Sequence, residues 1–439
     1  MSAAGVPQIL ILGGGFAGIA TAQRLEKKLR ESEAEITLVS RENFTLFTPM
    51  LPEVSSGGIE TRHIVTPVRA QLKRTQYVLG EVTAIDLNAR CVDVTHALTG
   101  ANVHLAYDHI VLALGSVTST FNIPGVAEHA IPLKTVEDAD VLRNRIIASL
   151  ELADIATDPA ARARLLTYAI VGGGYTGCEA AGELVDFLRS ISRFYQTIHA
   201  SEIKLVLIEG SHKLLVDLPA GMGVYTQRSL AERGVQLEIG DGVAGIDPAG
   251  VALLSGRRIE TATVVWSAGV RPSPILKDLP LEHARNGGLY TQRDMRARGA
   301  YPTVWAIGDC AWIPMAEEGK WYPPTAQHAL REGPVLADNI IATVRGERTK
   351  PFDFAALGTM ASLGARRGVV GFPNGFVLTG FFAWFLWRTY YLARLPGVDR
   401  RLRVSFDWLL GLFFSRDIAE LRVYTDRAQR KSAQDAGLK

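Results

Sequence analysis

The chain has 439 residues, enough for about two to four domains at roughly 100–200 residues each. Its 47 lysines and arginines against 45 aspartates and glutamates give a formal net charge of +2, so nothing in the charge indicates nucleic acid as a partner. The 47% hydrophobic content excludes a disordered or fibrous chain. Three scattered cysteines predict reduced thiols, with no disulfide framework and no metal site.

The chain begins with a pattern that it later repeats. Segments 8–25 and 167–184 each combine a short apolar strand, a G-x-G-x-x-G turn and a helix rich in small residues. The first glycine of such a turn permits the tight bend, the second lets the backbone approach a pyrophosphate, and the third brings the helix against the strand. One such motif is weak evidence, but two copies predict two dinucleotide-binding sites. The glycines are Gly13, Gly15 and Gly18, then Gly172, Gly174 and Gly177.

The segments between and after these motifs read as an alternating α/β chain. A second strand is predicted at 35–40, a loop at 41–57, β-rich stretches at 77–120 and a helical linker at 134–160. Further strands are predicted at 202–210, 261–272 and 303–313, with a hairpin-like region at 235–260. No uninterrupted run of about 18 apolar residues occurs, so no standard transmembrane helix is predicted.

The order of these motifs resembles the two-dinucleotide-binding-domain flavoprotein family. Within it, NFTLFTPMLPEVSSG, LKTVEDA, VGGGYTGCEAAGEL, PPTAQHA and the C-terminal tail resemble the type II NADH:quinone oxidoreductases over residues 8–425. The resemblance implies an α/β fold with two Rossmann-like domains and a C-terminal membrane-associating helical region. Its expected domains are an FAD-binding domain at 1–160 and 281–350, an NAD(H)-binding domain at 161–280, and a C-terminal domain at 351–439 with an amphipathic membrane anchor.

The resemblance places FAD at the first fingerprint and at the Gly308–Asp309 turn. Asp309 is expected to bind the ribityl chain, although it could instead cap a helix. Ser40 stands where an acid is usual, and its hydroxyl can still bond a ribose. The expected FAD-binding residues are Gly13, Gly15, Phe16, Ala17, Gly18, Ser40, Arg41, Pro49, Met50, Val82, Ala113, Gly115, Asp309, Ala326 and Gln327.

NADH is expected at the second fingerprint. Glu209 ends the second strand of that unit, where a carboxylate accepts from the ribose hydroxyls and repels a 2′-phosphate, so NADH is favoured over NADPH. Glu179 matches a family position near nicotinamide and flavin, and Lys134 matches one near the flavin. Either could instead be an ordinary residue at a helix start. The expected NADH-binding residues are Gly172, Gly174, Tyr175, Gly177, Glu179, Glu209, Ala268 and Gly269.

The motif PPTAQ at 323–327 is the most distinctive part of the resemblance. It implies that Ala326 and Gln327 lie beside the flavin and the quinone, with Gln327, Glu179 and Lys134 as catalytic candidates. The family usually has a second glutamine where this chain has Arg331. No cysteine follows Cys310, which argues against a sulfide:quinone oxidoreductase. The alternatives are a sister flavoprotein with another acceptor, either a sulfide:quinone oxidoreductase or an NAD(P)H oxidase, and a redox sensor that binds FAD and NADH.

The segment 376–414 is aromatic, apolar and punctuated by arginines. Its rings, together with Arg400, Arg401 and Arg403, predict an interfacial helix pair that binds anionic lipid. A packed subdomain or a homodimer interface would also suit this composition. The expected location is therefore peripheral, on the cytoplasmic face of the cell's inner membrane, with quinone and NADH as partners.

Overall fold

The structure is a computed structural model that describes residues 5–364 and 366–420. The chain divides into two compact units. Unit 1 contains Met1–Leu46, Val65–Val117 and Val270–Ala356, and unit 2 contains Phe47–Ile64, Thr118–Gly269 and Leu357–Lys439. The expected domain boundaries at 160, 280 and 350 concern cofactor binding and stay predictions. The boundaries between the compact units fall at other positions.

The strands are, in chain order, β1 Gln8–Leu12, β2 Glu35–Ser40, β3 Phe44–Leu46, β4 Val65–Pro67, β5 Gln76–Asp86, β6 Cys91–His96, β7 Asn102–Ala106, β8 His109–Leu112, β9 Ser116–Thr118, β10 Ala130–Pro132, β11 Thr167–Val171, β12 Lys204–Glu209, β13 Val235–Ile239, β14 Val243–Asp247, β15 Gly250–Leu253, β16 Arg258–Glu260, β17 Thr263–Trp266, β18 Val270–Pro272, β19 Leu289–Tyr290, β20 Val304–Ala306, β21 Ala311–Trp312, β22 Thr359–Ser362, β23 Gly368–Gly371 and β24 Val377–Gly380.

The α-helices are α1 Phe16–Lys28, α2 Leu51–Ser55, α3 Val68–Gln71, α4 Val126–His129, α5 Val136–Ile155, α6 Pro159–Leu165, α7 Tyr175–Ser192, α8 Ala220–Ala231, α9 Ala326–Val344, α10 Phe381–Arg394 and α11 Val398–Leu410. Short 3₁₀ helices cover Thr48–Met50, Thr61–His63, Pro274–Leu276 and Gly308–Cys310.

Unit 1 is built on a seven-stranded sheet in the order β20-β8-β1-β2-β5-β6-β7. The strands from β20 to β5 are parallel, and β6 and β7 continue the sheet in antiparallel fashion. Its central strand β1 is apolar at nearly every position because a parallel strand is covered on both faces. Leu12 pairs with Val39 and with Leu112, so the segments that follow these strands emerge at one edge of the sheet.

Unit 2 contains a parallel five-stranded sheet in the order β10-β17-β11-β12-β13. Val171 at the end of β11 pairs with Ile208 and with Trp266, so the residues after these three strands also meet at one edge. The antiparallel sheets β14-β15-β16 and β22-β23-β24 belong to the same unit. The helix pair predicted in the tail is confirmed as α10 and α11.

Two predictions for the chain between the fingerprints had different outcomes. The helical linker is confirmed as α5, which begins with a capping box between Thr135 and Asp138. The loop predicted at 41–57 is wrong, because this stretch holds β3, a 3₁₀ helix and the buried helix α2. Its prolines misled the prediction, since Pro49 and Pro52 occupy first-turn positions where proline is tolerated.

Candidate active site

The first fingerprint lies at the edge of the unit 1 sheet where β1 ends. Gly13 has φ +118°, and a Cβ there would lie 2.1 Å from the carbonyl oxygen of Ala113. A Cβ on Gly18 would lie 1.9 Å from the carbonyl oxygen of Gly13. Gly15 differs, since its φ is an ordinary −79° and a Cβ would meet nothing within 4 Å. The fold therefore requires Gly13 and Gly18, whereas the open space at Gly15, before Phe16 and Ala17 begin α1, suits a bound diphosphate.

The predicted FAD residue Asp309 lies at the same edge, in the 3₁₀ turn after β20. The hydroxyl of Ser116, just beyond Gly115, donates to Oδ2 of Asp309 at 2.7 Å. The turn is capped by Ile307, so Asp309 does not serve as its N-cap. Ser116 was not among the expected FAD-binding residues, although it directly follows Gly115, which was.

The other predicted FAD residues of unit 1 differ in exposure. Ser40, at the end of β2, is buried against the fingerprint, where a Cβ on Gly14 would lie 2.6 Å from its hydroxyl oxygen. Arg41 is exposed and pairs with Glu42 at 3.2 Å, and Val82 on β5 is half-buried.

Pro49 and Met50 belong to unit 2, in the 3₁₀ helix before α2. The side chain of Met50 is fully buried in the protein.

Ala326 and Gln327 begin α9 in unit 1. Four residues on, the guanidinium of Arg331 donates to the carbonyl oxygen of Gln327 at 2.7 Å and stacks on Phe354, 4.3 Å from the ring centroid. The residue that departs from the family pattern is therefore held by its own helix and by an aromatic ring. It places a cation one helical turn after Gln327.

The second fingerprint repeats the geometry of the first within unit 2. Gly172 has φ +109° and approaches Ala268, and a Cβ on Gly177 would lie 1.8 Å from the carbonyl oxygen of Gly172. Gly174 again has an ordinary φ of −77° and nothing within 4 Å of a Cβ. At the adjacent strand end, Ala268 is followed by Gly269, which packs against Phe121.

Glu209 ends β12 beside the second fingerprint. Its Oε2 accepts from the backbone N–H of Gly173 at 2.5 Å, and its Oε1 accepts from the backbone N–H of Ser211 at 2.7 Å. Both bonds are charge-assisted and fix the carboxylate next to the turn. A ribose bound at Gly174 would meet a carboxylate that the chain already orients.

Glu179 lies on the first turns of α7 and is buried. Its Oε1 accepts from the backbone N–H of Ser362 at 3.0 Å and from the indole N–H of Trp387 at 3.1 Å. Burial raises the pKa of this carboxyl to about 8, and the nearby Glu53 and Glu183 add to the rise. Burial likewise raises the pKa of Tyr175, one turn earlier, to about 12.

Lys134, the third predicted catalytic residue, precedes α5 and is half-buried. Its backbone N–H donates to Asp138 at 2.9 Å.

Two further buried carboxyls of unit 2 bind the tail and were overlooked. Glu53 on α2 accepts from the indole N–H of Trp408 at 2.6 Å and lies 3.5 Å from Arg388. Burial raises the pKa of Glu53. Glu183 on α7 accepts from Arg416 at 2.7 Å. The only indication in the sequence was that each of these glutamates stands among apolar residues.

The arginines of the tail make more contacts within the protein than the sequence predicted. The guanidinium of Arg388 lies 4.3 Å from the ring centroids of both Trp384 and Trp408. Arg401 donates to the carbonyl oxygen of Leu395 at 2.8 Å, and the Arg400 side chain is only 18% exposed. Of the three arginines expected to reach lipid, Arg403 is the exposed one.

The outer faces of α10 and α11 and the turn after them carry large exposed apolar side chains, which we call the tail surface. Within the residues that the structure describes, no helix is both long and apolar enough to cross a bilayer. The tail surface consists of Phe381, Phe382, Phe385, Leu402, Phe406, Leu409, Leu410, Leu412, Phe413 and Phe414.

The cysteines show no redox arrangement. Cys178 and Cys310 are both buried, and burial raises the pKa of each thiol. Among residues 5–364 and 366–420, no three His, Cys, Asp or Glu side chains are grouped so that they could hold a metal ion.

Comparisons with known proteins agree with this geometry. Residues 7–333 match the pyridine nucleotide-disulphide oxidoreductase family, and residues 357–417 match the NDH2 C-terminal domain. A type II NADH:quinone oxidoreductase of Mycobacterium tuberculosis is 32% identical over 424 residues, which cover 93% of this chain and 89% of the relative. A probable NADH dehydrogenase of Dictyostelium discoideum is 32% identical over 421 residues, covering 94% of this chain and 91% of the relative.

Solved structures share the fold. The structure of NDH2 from Plasmodium falciparum in complex with NADH has a TM-score of 0.86 at 21% identity, and the match covers 94% of this chain and 99% of that one. The sulfide:quinone oxidoreductase of Aquifex aeolicus has a TM-score of 0.70 at 19% identity, with coverage of 93% and 95%.

Proposed function

This chain belongs to the type II NADH:quinone oxidoreductase family and is an FAD-dependent NADH:quinone oxidoreductase, and we propose that it binds its two nucleotides at Gly15 and Gly174 and works on a membrane surface. The observation that carries this assignment is that the backbone at Gly15 and Gly174 could accommodate a side chain, so the fold itself does not require glycine there. Each has ordinary dihedral angles and open space where a side chain would go. Each stands at the N-terminus of a long helix, where backbone N–H groups bind phosphate.

FAD, when bound, supplies the two-electron chemistry between NADH and a quinone, and no proton pumping is involved. The residues of unit 1 hold it. The N-terminus of α1 offers its backbone N–H groups to the diphosphate, and Asp309, oriented by Ser116, offers a carboxylate to the ribityl hydroxyls. Ser40 offers a hydroxyl to the adenosine ribose.

In unit 2, Gly174 leaves room for the NADH diphosphate and Glu209 accepts from the adenosine ribose. The two bonds that Glu209 already accepts keep its carboxylate in place. A 2′-phosphate would meet that negative charge, which is the reason for preferring NADH over NADPH. Glu179 and Lys134 are proposed to act at the nicotinamide and flavin.

Ala326 and Gln327 are proposed to contact the quinone. Arg331, on the next turn of α9, brings a fixed positive charge to this helix face. The location that we propose is the cytoplasmic face of the inner membrane, with the protein bound peripherally. The tail surface supports this proposal, because many exposed aromatic and aliphatic side chains on amphipathic helices suit the boundary between headgroups and acyl chains.

The sulfide:quinone oxidoreductases share the fold but need reactive cysteines. No cysteine follows Cys310 in the sequence, and both Cys178, after the second fingerprint, and Cys310, in the Gly308–Cys310 turn, are buried.

A homodimer through the tail surface would be seen as a doubled mass by light scattering in detergent.

The assignment is tested by Gly15→Ala and Gly174→Ala. Since a methyl group at either position meets open space, both variants should fold. Gly15→Ala should lose FAD, whereas Gly174→Ala should retain FAD and show a raised KM for NADH. Gly18→Ala and Gly177→Ala serve as contrasts that should misfold, because their methyl groups clash with backbone oxygens. Full FAD content in Gly15→Ala would refute the placement.

A further inference from the structure

Glu332 is a buried carboxyl that the reaction, as described above, does not use. It lies on α9 and is 3% exposed, and its Oε2 accepts from the backbone N–H of Gly308 at 2.7 Å. The next residue, Gly333, marks the crossing of α9 and α1, where a Cβ would lie 2.7 Å from the carbonyl oxygen of Ala17. The backbone beside Glu332 is therefore fixed by a contact with the helix of the first fingerprint.

Through the Gly308 amide, Glu332 holds the 3₁₀ turn that contains Asp309. Gly308 has φ +72°, in the left-handed region, and its amide begins the 3₁₀ turn Gly308–Cys310. One end of this turn is fixed by Glu332, and Asp309 itself is fixed by Ser116. A glutamine could accept the same hydrogen bond without a charge, so the carboxyl at this position calls for a separate explanation.

The surroundings of Glu332 contain little positive charge. From the 3₁₀ turn it faces Asp309, and the next residue, Gly333, packs against the uncharged residues Ala17, Ala20 and Thr21 of α1. The cations Arg24 and Lys28 of α1 pair with Asp338, farther along α9.

On its own helix, His328 bonds Thr325, and Arg331 is held by Phe354 and Gln327. Within the part of the chain that the structure describes, Glu332 forms no ion pair. Burial, with a further contribution from Asp309, raises the pKa of Glu332 to about 7.

We propose that Glu332 is a positioning residue for FAD, which holds the Gly308–Asp309 turn through the Gly308 amide and whose ionisation weakens FAD binding. The reason is electrostatic. FAD brings a doubly charged diphosphate to the N-terminus of α1, on the same sheet edge as Asp309. When Glu332 is ionised, it adds a second carboxylate, which is buried. Its repulsion of the diphosphate is not offset by a cation. The neutral carboxyl retains an oxygen that accepts from Gly308, so protonation removes the charge while the turn stays in place.

This inference rests on the proposed placement of FAD at Gly15, and the two can fail separately. FAD retained by Gly15→Ala would refute the placement, while the tests of Glu332 compare variants that leave the fingerprint intact.

The experiment is a titration of the FAD-free full-length protein with FAD, followed by flavin fluorescence at several pH values from 6 to 8. If bound FAD raises the carboxyl's pKa by about one unit, the Kd of the wild type should rise roughly fivefold across this range. Glu332→Gln keeps the acceptor and removes the charge, so its Kd should change less than about twofold. The exposed Glu347→Gln is the matched control and should follow the wild type.

Glu332→Asp separates positioning from charge. The shorter side chain keeps the carboxyl but withdraws it from the Gly308 amide, so FAD should bind more weakly at every pH while the pH dependence remains. A Glu332→Gln profile that matches the wild type would overturn the electrostatic part. Wild-type affinity in Glu332→Asp would overturn the positioning role.

Discussion

The indole N–H of Trp387 on α10 donates a 3.1 Å hydrogen bond to Oε1 of Glu179, on the helix that follows the second fingerprint. The same helix pair reaches Glu53 through Trp408 and Arg388. Three buried glutamates of unit 2 are thus contacted by the C-terminal segment, with Arg416 on Glu183 as the third contact. These contacts make the tail an integral part of folded unit 2. The tail also carries the exposed apolar side chains of the tail surface.

The first prediction concerns the pH dependence of stability. Because the pKa of Glu179 is raised to about 8 in the folded state, the folded protein keeps a proton that the unfolded chain releases at lower pH. The free energy of unfolding should therefore decrease as pH rises from the ordinary carboxyl value toward 8. Glu179→Gln should flatten this decrease, measured by urea unfolding at several pH values. The exposed Glu128→Gln should leave the slope unchanged, and an unaltered slope in Glu179→Gln would contradict the assignment.

The second prediction concerns nucleotide choice. Glu209→Gln removes the repulsion of a 2′-phosphate and weakens the ribose hydrogen bonds, so the KM for NADH should rise roughly tenfold and the preference over NADPH should shrink. Steady-state kinetics with both nucleotides measure the ratio. The half-buried Glu238, on the neighbouring strand β13, is the control, and Glu238→Gln is not expected to change the ratio. An unchanged NADH/NADPH ratio in Glu209→Gln would rule out this role for Glu209.

The third prediction separates the two half-reactions. Gln327→Ala should slow reoxidation by quinone more than reduction by NADH, because we propose that Gln327 contacts the quinone. Arg331→Gln restores the residue usual in the family and removes a cation held against Phe354, so it should change the KM for quinone and leave the KM for NADH unaltered. Stopped-flow absorbance separates the steps. Equal slowing of both half-reactions in Gln327→Ala would count against the acceptor role.

The fourth prediction concerns the membrane. The double change of Phe382 and Phe385 to Ser removes exposed apolar area without touching the buried contacts of α10, so it should abolish flotation with anionic liposomes while unfolding stays the same. Leu98→Ser, an equally exposed apolar site in unit 1, is the matched control. Persistent flotation of the double variant would show that the tail surface does not bind lipid.

Deleting residues 376–439 should act differently from these surface changes. It removes Trp387, Arg388, Trp408 and Arg416, so Glu53 and Glu183 lose their contacts with the tail, and Glu179 loses Trp387 while it keeps the backbone N–H of Ser362. An uncompensated buried polar group costs about 1–3 kcal/mol, so the truncated protein should unfold at a lower temperature as well as leave the membrane. Unchanged thermal stability after truncation would contradict the structural role of the tail.

The sequence predicts local structure correctly where the structure is encoded in neighbouring residues. The fingerprints, the Gly308–Asp309 turn and α5 with its capping box are all local patterns, and strand pairing in unit 1 brings the first fingerprint and the Gly308–Asp309 turn to one sheet edge. The contacts between the tail and the buried glutamates could not be predicted in this way. Glu53 and Trp408 are 355 residues apart, and neither residue type nor spacing indicates that one should donate to the other.

The central claim is that FAD in this chain carries electrons from NADH to a quinone. The most direct measurement mixes the purified FAD-loaded protein in detergent with NADH and then with a soluble quinone, while the absorbance of oxidised flavin is followed. We predict that NADH rapidly abolishes the absorbance of oxidised flavin, because it reduces FAD. The quinone should then restore this absorbance, because it reoxidises the flavin. Flavin that stays reduced after quinone is added, or that is reduced by sulfide in place of NADH, would contradict the account.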